Sequence, residues 1–216
     1  VGDANTRFNE DALRLMRAVR FMSQLDFDIE SVTRESISNN AKLLNNVSRE
    51  RVKDEFIKLI MTDYPMRGLI IMKETGLLEY VVPELLRGVG VTQNQAHMYD
   101  VWEHNLRTLQ HAADKKWPLH VRLSAIFHDI SKPETKRYSK EKGVITFYGH
   151  DVVGGRVTRE ILERLKFPKD LTEQVSMYVR WHMFFSDTEQ ITLSAVRRLI
   201  TNVGKENIWN LIDLRI

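Results

Sequence analysis

Leu123-Ser124-Ala125-Ile126-Phe127-His128-Asp129 is the stretch whose reading decides how this chain folds and what it holds. The apolar run reads as the end of a buried helix spanning Leu119 to Ile130. An imidazole beside a carboxylate at the end of such a helix is costly unless something satisfies both. A divalent cation does so, and a donor set of neutral imidazole and carboxylate suits Mn, Fe, Ni, Zn or Mg. The chain has no cysteine. Disulfides and thiolate metal sites are thereby excluded, and any transition metal must be held by imidazole and carboxylate.

Working outward, His104 lies one predicted helix upstream, on the segment Asp100 to Lys115. His150 and His182 sit on later predicted helices, His150 to Leu165 and Leu171 to His182. Separate helices converging in a bundle can bring such residues to one centre. Asp129, bridging with histidines on either side, would let a divalent ion activate water against a phosphoester, with Lys132 steadying the phosphate charge. The plainer reading of any single histidine is a packed or exposed side chain without function. For His111 and His120 that plainer reading is the expectation, and His97 is left without a role.

The remaining punctuation is helical nearly everywhere, so the fold expected is all-α. Asn9 reads as an N-cap followed by acidic Glu10 and Asp11 in a first turn. Helices are expected over Ser31 to Leu44, Ser48 to about Met61, and Arg67 to Glu74, the last closed by Gly76. Leu77 to Leu86 follows, with Pro83 as a break. Residues 87–96, with two glycines and several amides, read as a linker. The expected organisation is therefore a first helical region over 1–86, the linker, and a second helical unit over 97–216. Within that unit Arg137 to Phe147, which contains Gly143, suits a short hairpin, and a further helix is expected at Leu193 to Thr201.

The 216 residues are 43% hydrophobic and 28% charged with a net charge of +3, an ordinary globular composition that permits a nucleic-acid partner without demanding one. No apolar run approaches the ~20 residues a membrane span needs, and the N-terminus lacks signal-peptide order. A cytoplasmic protein with no membrane partner is the expectation. The chain starts without methionine and ends inside a helical pattern, so it reads as a portion of a longer protein.

Asp11 and Arg14, three residues apart, share a helix face. A carboxylate only accepts hydrogen bonds and a guanidinium only donates. Cytosine and adenine each offer an exocyclic amine beside a ring-nitrogen acceptor, so an Asp/Arg fork could take them and reject guanine and uracil, which would leave buried groups unpaired. On spacing alone, a surface ion pair is the plainer reading of the same two residues. Arg17 and Arg20 continue the three-residue step and could line a path for phosphates, or simply form a solvated face.

Arg7-Phe8-Asn9-Glu10-Asp11-Ala12-Leu13-Arg14, followed by Met16-Arg17-Ala18-Val19-Arg20-Phe21, resembles the neck motif of the bacterial CCA-adding enzyme and poly(A) polymerase family. Its Glu-Asp-x-x-Arg signature falls on Glu10, Asp11 and Arg14. The resemblance implies that Asp11 and Arg14 pair with incoming CTP or ATP, with Arg17 beside them. Ser48-Arg49-Glu50-Arg51-Val52, Glu74-Thr75-Gly76-Leu77-Leu78 and Val82-Pro83-Glu84-Leu85 look like the family's RNA-binding helices, which implies tRNA as partner. The family's catalytic head, with paired aspartates that hold Mg2+, would precede Val1.

His128-Asp129-Ile130-Ser131-Lys132-Pro133, with His104 upstream and Phe147-Tyr148-Gly149-His150-Asp151 downstream, resembles the HD phosphohydrolase domain carried by many of these transferases. By that match His104, His128 and Asp129 are metal ligands for Mn, Ni, Fe or Mg. His150 and His182 match histidines that bind a second metal or phosphate in some members. Ser131 stands where the family usually has glycine. The family's last aspartate ligand would fall just past Ile216, with Asp213 the nearest candidate inside the chain. The leading expectation is thus part of a CCA-end tRNA nucleotidyltransferase. The alternatives are a stand-alone phosphohydrolase acting on nucleotides and a non-catalytic tRNA-binding module.

Overall fold

The computed structural model describes residues 2–93, 98–141, 143–184 and 191–214. Part of the linker (94–96) and His97 lie outside the described residues. Among the described residues the chain is all-α apart from a two-stranded hairpin. Among the described residues no helix is long and apolar enough to cross a membrane.

The first helix begins earlier than Asn9. Asp3 accepts the Thr6 N–H at 2.7 Å and caps α1 (Ala4–Glu10), in which Asn9 is an interior residue donating to the Asn5 carbonyl. Asp11 then leaves the helix with an extended backbone (φ −150°, ψ 103°), and α2 (Leu13–Leu25) starts beyond it. The capping chemistry expected at Asn9 is carried out by Asp11. Its carboxylate takes the Leu13 N–H at 3.2 Å and its carbonyl takes the Arg14 N–H at 3.0 Å, satisfying donors that the first turn leaves orphaned.

The next elements follow their local signals. α3 (Ser31–Asn40) tightens into a 3-10 turn at Ala41–Asn46, so the helix expected to Leu44 ends earlier as α-helix. Ser48 caps α4 (Arg49–Ile60), and Pro65 opens α5 (Pro65–Glu74) at a position where its missing N–H is harmless. Gly76 adopts φ +74°, a left-handed turn that glycine makes without steric cost, before α6 (Leu77–Val81). Pro83 ends α6 and starts a 3-10 turn, Pro83–Gly88.

Asp100 caps α7 (Val101–Asp114) by accepting the Glu103 N–H at 2.7 Å. α8 (Leu119–Phe127) is buried along nearly its whole length and delivers His128 at its C-cap. A short α9 (Lys132–Thr135) leads into β1 (Arg137–Ser139) and β2 (Val144–Thr146), paired antiparallel with Arg137 opposite Thr146. Then come α10 (His150–Arg164), α11 (Lys169–Trp181), α12 (Leu193–Val203) and α13 (Ile208–Asp213).

One apolar cluster runs from Phe8, Leu15 and Val19 through Phe56 and Leu85 to Trp102, Phe127, Leu162 and Val179. It therefore continues past residues 87–93 instead of stopping there. Gly88 lies so close beneath α7 that a Cβ on it would sit 3.0 Å from the Trp102 nitrogen. Arg122 of α8, only 3% exposed, donates to the Ile60 and Thr62 carbonyls at 3.1 and 2.8 Å and to the Trp117 carbonyl at 2.9 Å. A second cluster, including Ala112, Val121, Tyr178, Leu199 and Leu211, seats α12 and α13 on the outside of α8 and α11.

Candidate metal centre

Asp129 is the hub. Its carboxylate is 3% exposed and lies where the ends of α8, α10 and α11 meet α7. Oδ2 is 3.3 Å from His104 Nε2 and 3.2 Å from His128 Nε2. Oδ1 is 3.3 Å from His150 Nε2 and 3.7 Å from His182 Nε2. His104 and His128 bring their Nε2 atoms within 3.0 Å, and His150 and His182 bring theirs within 3.3 Å. The four histidines expected to share a centre with Asp129 are therefore gathered around its carboxylate. Two groups have metal-ligating spacing among the described residues: His104–His128–Asp129 and Asp129–His150–His182. Asp213, at the far end of α13, belongs to neither.

The backbone fixes the ring orientations. His128 Nδ1 faces the Ala125 carbonyl at 2.8 Å, His150 Nδ1 the Phe147 carbonyl at 2.7 Å, and His182 Nδ1 the Val179 carbonyl at 2.6 Å. A carbonyl only accepts, so each Nδ1 carries its hydrogen and each ring turns its Nε2 inward. Nitrogens crowded at these distances around one carboxylate suit a shared cation. Burial first, then the neighbouring His128, pushes His182 down to about 4, so a proton is a poor candidate for that cation near neutrality. Burial works against ionisation of Asp129, but His128 and the contacts from His104 and His150 outweigh it and hold the carboxyl well below the usual range. A permanent carboxylate ringed by oriented imidazoles fits a divalent ion.

Two glycines hold the centre together. Gly154 and Gly155 of α10 face α11, where a Cβ on Gly155 would meet the Ser176 carbonyl at 3.1 Å and the Arg180 Cβ at 3.0 Å. That close approach is what lets His150 and His182 touch. The sequence did carry a signal for it: paired glycines inside a helical pattern are costly and call for a packing reason. Gly149, at φ +78°, turns the chain so that His150 opens α10.

Lys132, expected to steady phosphate, has its Nζ 2.6 Å from Asp129 Oδ2 and 2.7 Å from Gln93 Oε1. His111 and His120 stand apart from the centre. His111 lies edge-on to Trp117, and His120 meets Asn210 at 3.2 Å.

At the other end of the molecule Asp11 and Arg14 sit near each other but each holds a different partner. Arg51 of α4 lies 3.0 and 3.2 Å from the two Asp11 oxygens, while Arg14 donates to Glu10 at 2.6 Å and to the Arg7 carbonyl at 3.0 Å. Partial burial raises the Asp11 carboxyl, but the Arg51 and Leu13 hydrogen bonds more than reverse that and leave it lowered. Arg17 is exposed one turn along α2. Arg20 is not part of an open basic stripe: its Nε is 2.8 Å from Glu55, a carboxylate only 6% exposed that Lys58 also reaches at 3.0 Å. Arg51 is the residue whose partner was not foreseen, because nothing in the local pattern joins positions 40 apart.

The fold and this centre define a class: a largely helical chain with a histidine–aspartate cluster that could hold a metal ion, in a segment that matches the HD domain. Residues 26–87 match the family described as "Probable RNA and SrmB- binding site of polymerase A", and residues 101–203 match the HD domain. The chain is 38% identical over 184 residues to the CC-adding tRNA nucleotidyltransferase of Thermus thermophilus, covering 81% of this chain and 42% of that protein. It is 34% identical over 180 residues to the A-adding tRNA nucleotidyltransferase of Deinococcus radiodurans, covering 80% and 42%. The chain belongs to the tRNA nucleotidyltransferase family, and it spans less than half the length of these curated relatives. Its fold is similar to that of the Thermotoga maritima CCA-adding enzyme complexed with tRNA-CCA, with a TM-score of 0.56 at 15% identity, covering 98% of this chain and 46% of that one.

Proposed function

We propose that the chain serves a tRNA CCA-end nucleotidyltransferase in two units, 1–86 and 97–216, joined by 87–96. The first selects CTP and ATP through Asp11 and Arg14, with Arg17 on the phosphate side, and binds tRNA along its helices. Transfer itself would use Mg2+ held elsewhere in the whole protein. A cytoplasmic setting, where tRNA and nucleoside triphosphates are found, goes with this reading. The second unit is a metal-dependent phosphohydrolase, and the observation that carries it is the Asp129 carboxylate shared between two histidine pairs.

His104, His128 and Asp129 would hold one divalent ion (Mn, Ni, Fe or Mg), and His150 and His182 would hold a second with the other Asp129 oxygen. A metal in this setting supplies Lewis acidity toward a phosphoester and its attacking water. The protein's part is orientation. The Ala125, Phe147 and Val179 carbonyls lock three rings, and the buried walls keep bulk solvent away. His104, with 21% of its side chain exposed, marks the edge from which a phosphoester enters. Lys132 stands next to the reacting region as the nearest cation.

Hydrolysis of a 2′,3′-cyclic nucleotide by the purified chain with added Mn2+ or Ni2+, beside His128→Ala, tests the second unit. Activity lost in the variant supports it. Absence of activity in both proteins would make the centre structural. For the first unit, Asp11→Ala in the complete transferase is expected to lose preference for CTP and ATP while still binding tRNA; unchanged selection would remove Asp11 from the role.

A further inference from the structure

We propose that Phe21 is a stacking platform for an unpaired base of single-stranded RNA, braced from behind by Arg20 and flanked along its helix by Arg17. The proposal rests on the reading that the first unit binds tRNA. It adds where on that unit an unpaired nucleotide is held, and by which chemistry.

α2 carries Arg14, Arg17 and Arg20 and no carboxylate. At about 3.6 residues per turn, Arg14, Arg17, Phe21 and Leu25 fall on one side of the helix, with Phe21 roughly 10 Å along the axis from Arg14. That side is open: Phe21 is 42% exposed, Leu25 is 51% exposed, and Arg17 is exposed between them and Arg14. Asp26 and Asp28, which follow the helix, are both held by Arg67, so their charge is offset where a phosphate strand would pass.

Exposed apolar side chains standing singly are ordinary. Phe21 differs in what lies beneath it. The Arg20 guanidinium carbon is 4.0 Å from the ring centroid, so a cation covers one face of the ring. That guanidinium is itself fixed, with Nε 2.8 Å from Glu55 and Nη1 2.7 Å from Gln24 Oε1. The side chains of Arg20 and Glu55 are 11% and 6% exposed, which anchors the brace in the packed body of the unit. The ring is therefore held before any ligand arrives, and little ordering is left to oppose binding.

A fixed aromatic surface with a guanidinium one turn away matches the two halves of a nucleotide. The base stacks on the ring, and Arg17 meets the phosphate. Every base has a π-face, so this contact is tolerant of sequence and leaves selection to Asp11 and Arg14. Bases inside a duplex are already stacked on one another, so the ring serves an unpaired segment. A protein partner could also use an exposed ring, but the one-sided charge of α2 complements a phosphate backbone.

Titration of the purified chain with a single-stranded RNA oligonucleotide carrying fluorescent 2-aminopurine, beside a blunt RNA duplex, tests this. Binding of the single strand should quench the fluorescent base. Phe21→Leu should weaken the single strand roughly tenfold, leave the duplex unchanged and keep the same salt dependence. Phe21→Trp, which retains a stacking surface, should keep the affinity, and Arg17→Gln should flatten the salt dependence. Thermal unfolding of each variant accompanies the titrations; if Phe21→Leu melts early, Phe21→Tyr and Phe21→Trp decide, and both must still quench. Unmoved single-strand affinity in a folded Phe21→Leu overturns the proposal, as does equal weakening of strand and duplex. So does a chain that self-associates until Phe21 is replaced while its RNA affinity stays the same, which would make the ring a protein contact. Failure of every one of these proteins to bind either RNA would instead remove the tRNA-binding reading beneath it.

Discussion

Arg51 and Asp11, forty positions apart, meet at 3.0 Å across the joint between α1 and α2. The guanidinium reaches from α4 to a carboxylate whose own backbone has just left a helix. Asp11 is thus aimed by a residue of α4 and by the Leu13 N–H, not by Arg14.

Arg51→Met should therefore loosen Asp11 without unfolding the chain. Arg51 is half exposed, and an exposed pair of this kind is worth at most about 1 kcal/mol. In the complete transferase the discrimination of CTP and ATP against UTP and GTP should drop roughly tenfold, because a mobile carboxylate no longer penalises the wrong base. Steady-state kinetics with all four nucleotides provides the measurement, and intact selectivity would show that Arg51 does not position Asp11.

Gly155→Val places a branched side chain against the Ser176 carbonyl, where even a Cβ is at 3.1 Å. α10 and α11 must separate, at a cost on the order of 2 kcal/mol. Since His150 and His182 ride on these helices, metal affinity should fall by roughly tenfold or more, although no ligand has been changed. Thermal unfolding and Mn2+ titration on the same sample read both effects; wild-type affinity in the variant would contradict the link.

Arg122→Met should be among the more damaging substitutions outside the centre. It strips the donor from the Ile60, Thr62 and Trp117 carbonyls in a region that water does not reach. A loss of about 3 kcal/mol is expected, visible as a lower urea midpoint. A midpoint within error of the unaltered protein would mean that those carbonyls find other donors.

His120 makes the fold sensitive to mild acid. Burial lowers its pKa from the usual 6.5, and its Nε2 faces the Asn210 amide, which ties α13 to α8. A histidine whose folded pKa is depressed contributes stability that is complete above its unfolded value and is lost as pH falls toward the folded one. The melting temperature should decline between about pH 7 and 5, and less steeply in His120→Gln. Parallel curves for the two proteins would exclude His120 as the cause.

Much of this was legible in the residues themselves. Ser48, Asp100, Pro65 and Gly76 mark helix ends through hydrogen bonds and dihedral limits that act within a few positions, so those boundaries could be read directly. The cost of burying His128 beside Asp129 likewise raised the expectation of a cation without any knowledge of the fold, and Gly143 announced the hairpin. Where two local signals competed the reading slipped. Asp3 and Thr6 start α1 before Asn9, which hands the capping role to Asp11.

What the sequence could not hold is any relationship set by how helices lie against one another. That His104, His150 and His182 share a centre with Asp129 was expected from the residues, but the distances at which they meet it, and the turn of Arg51 toward Asp11, join distant positions. Periodicity says which face of a helix is buried; it does not say against what. That is decided by side-chain packing among helices, here by the contact of Gly154 and Gly155 with α11 and by the carbonyls that Arg122 draws together. The chemistry of the centre was therefore determined by residue type, and its geometry by tertiary contact alone.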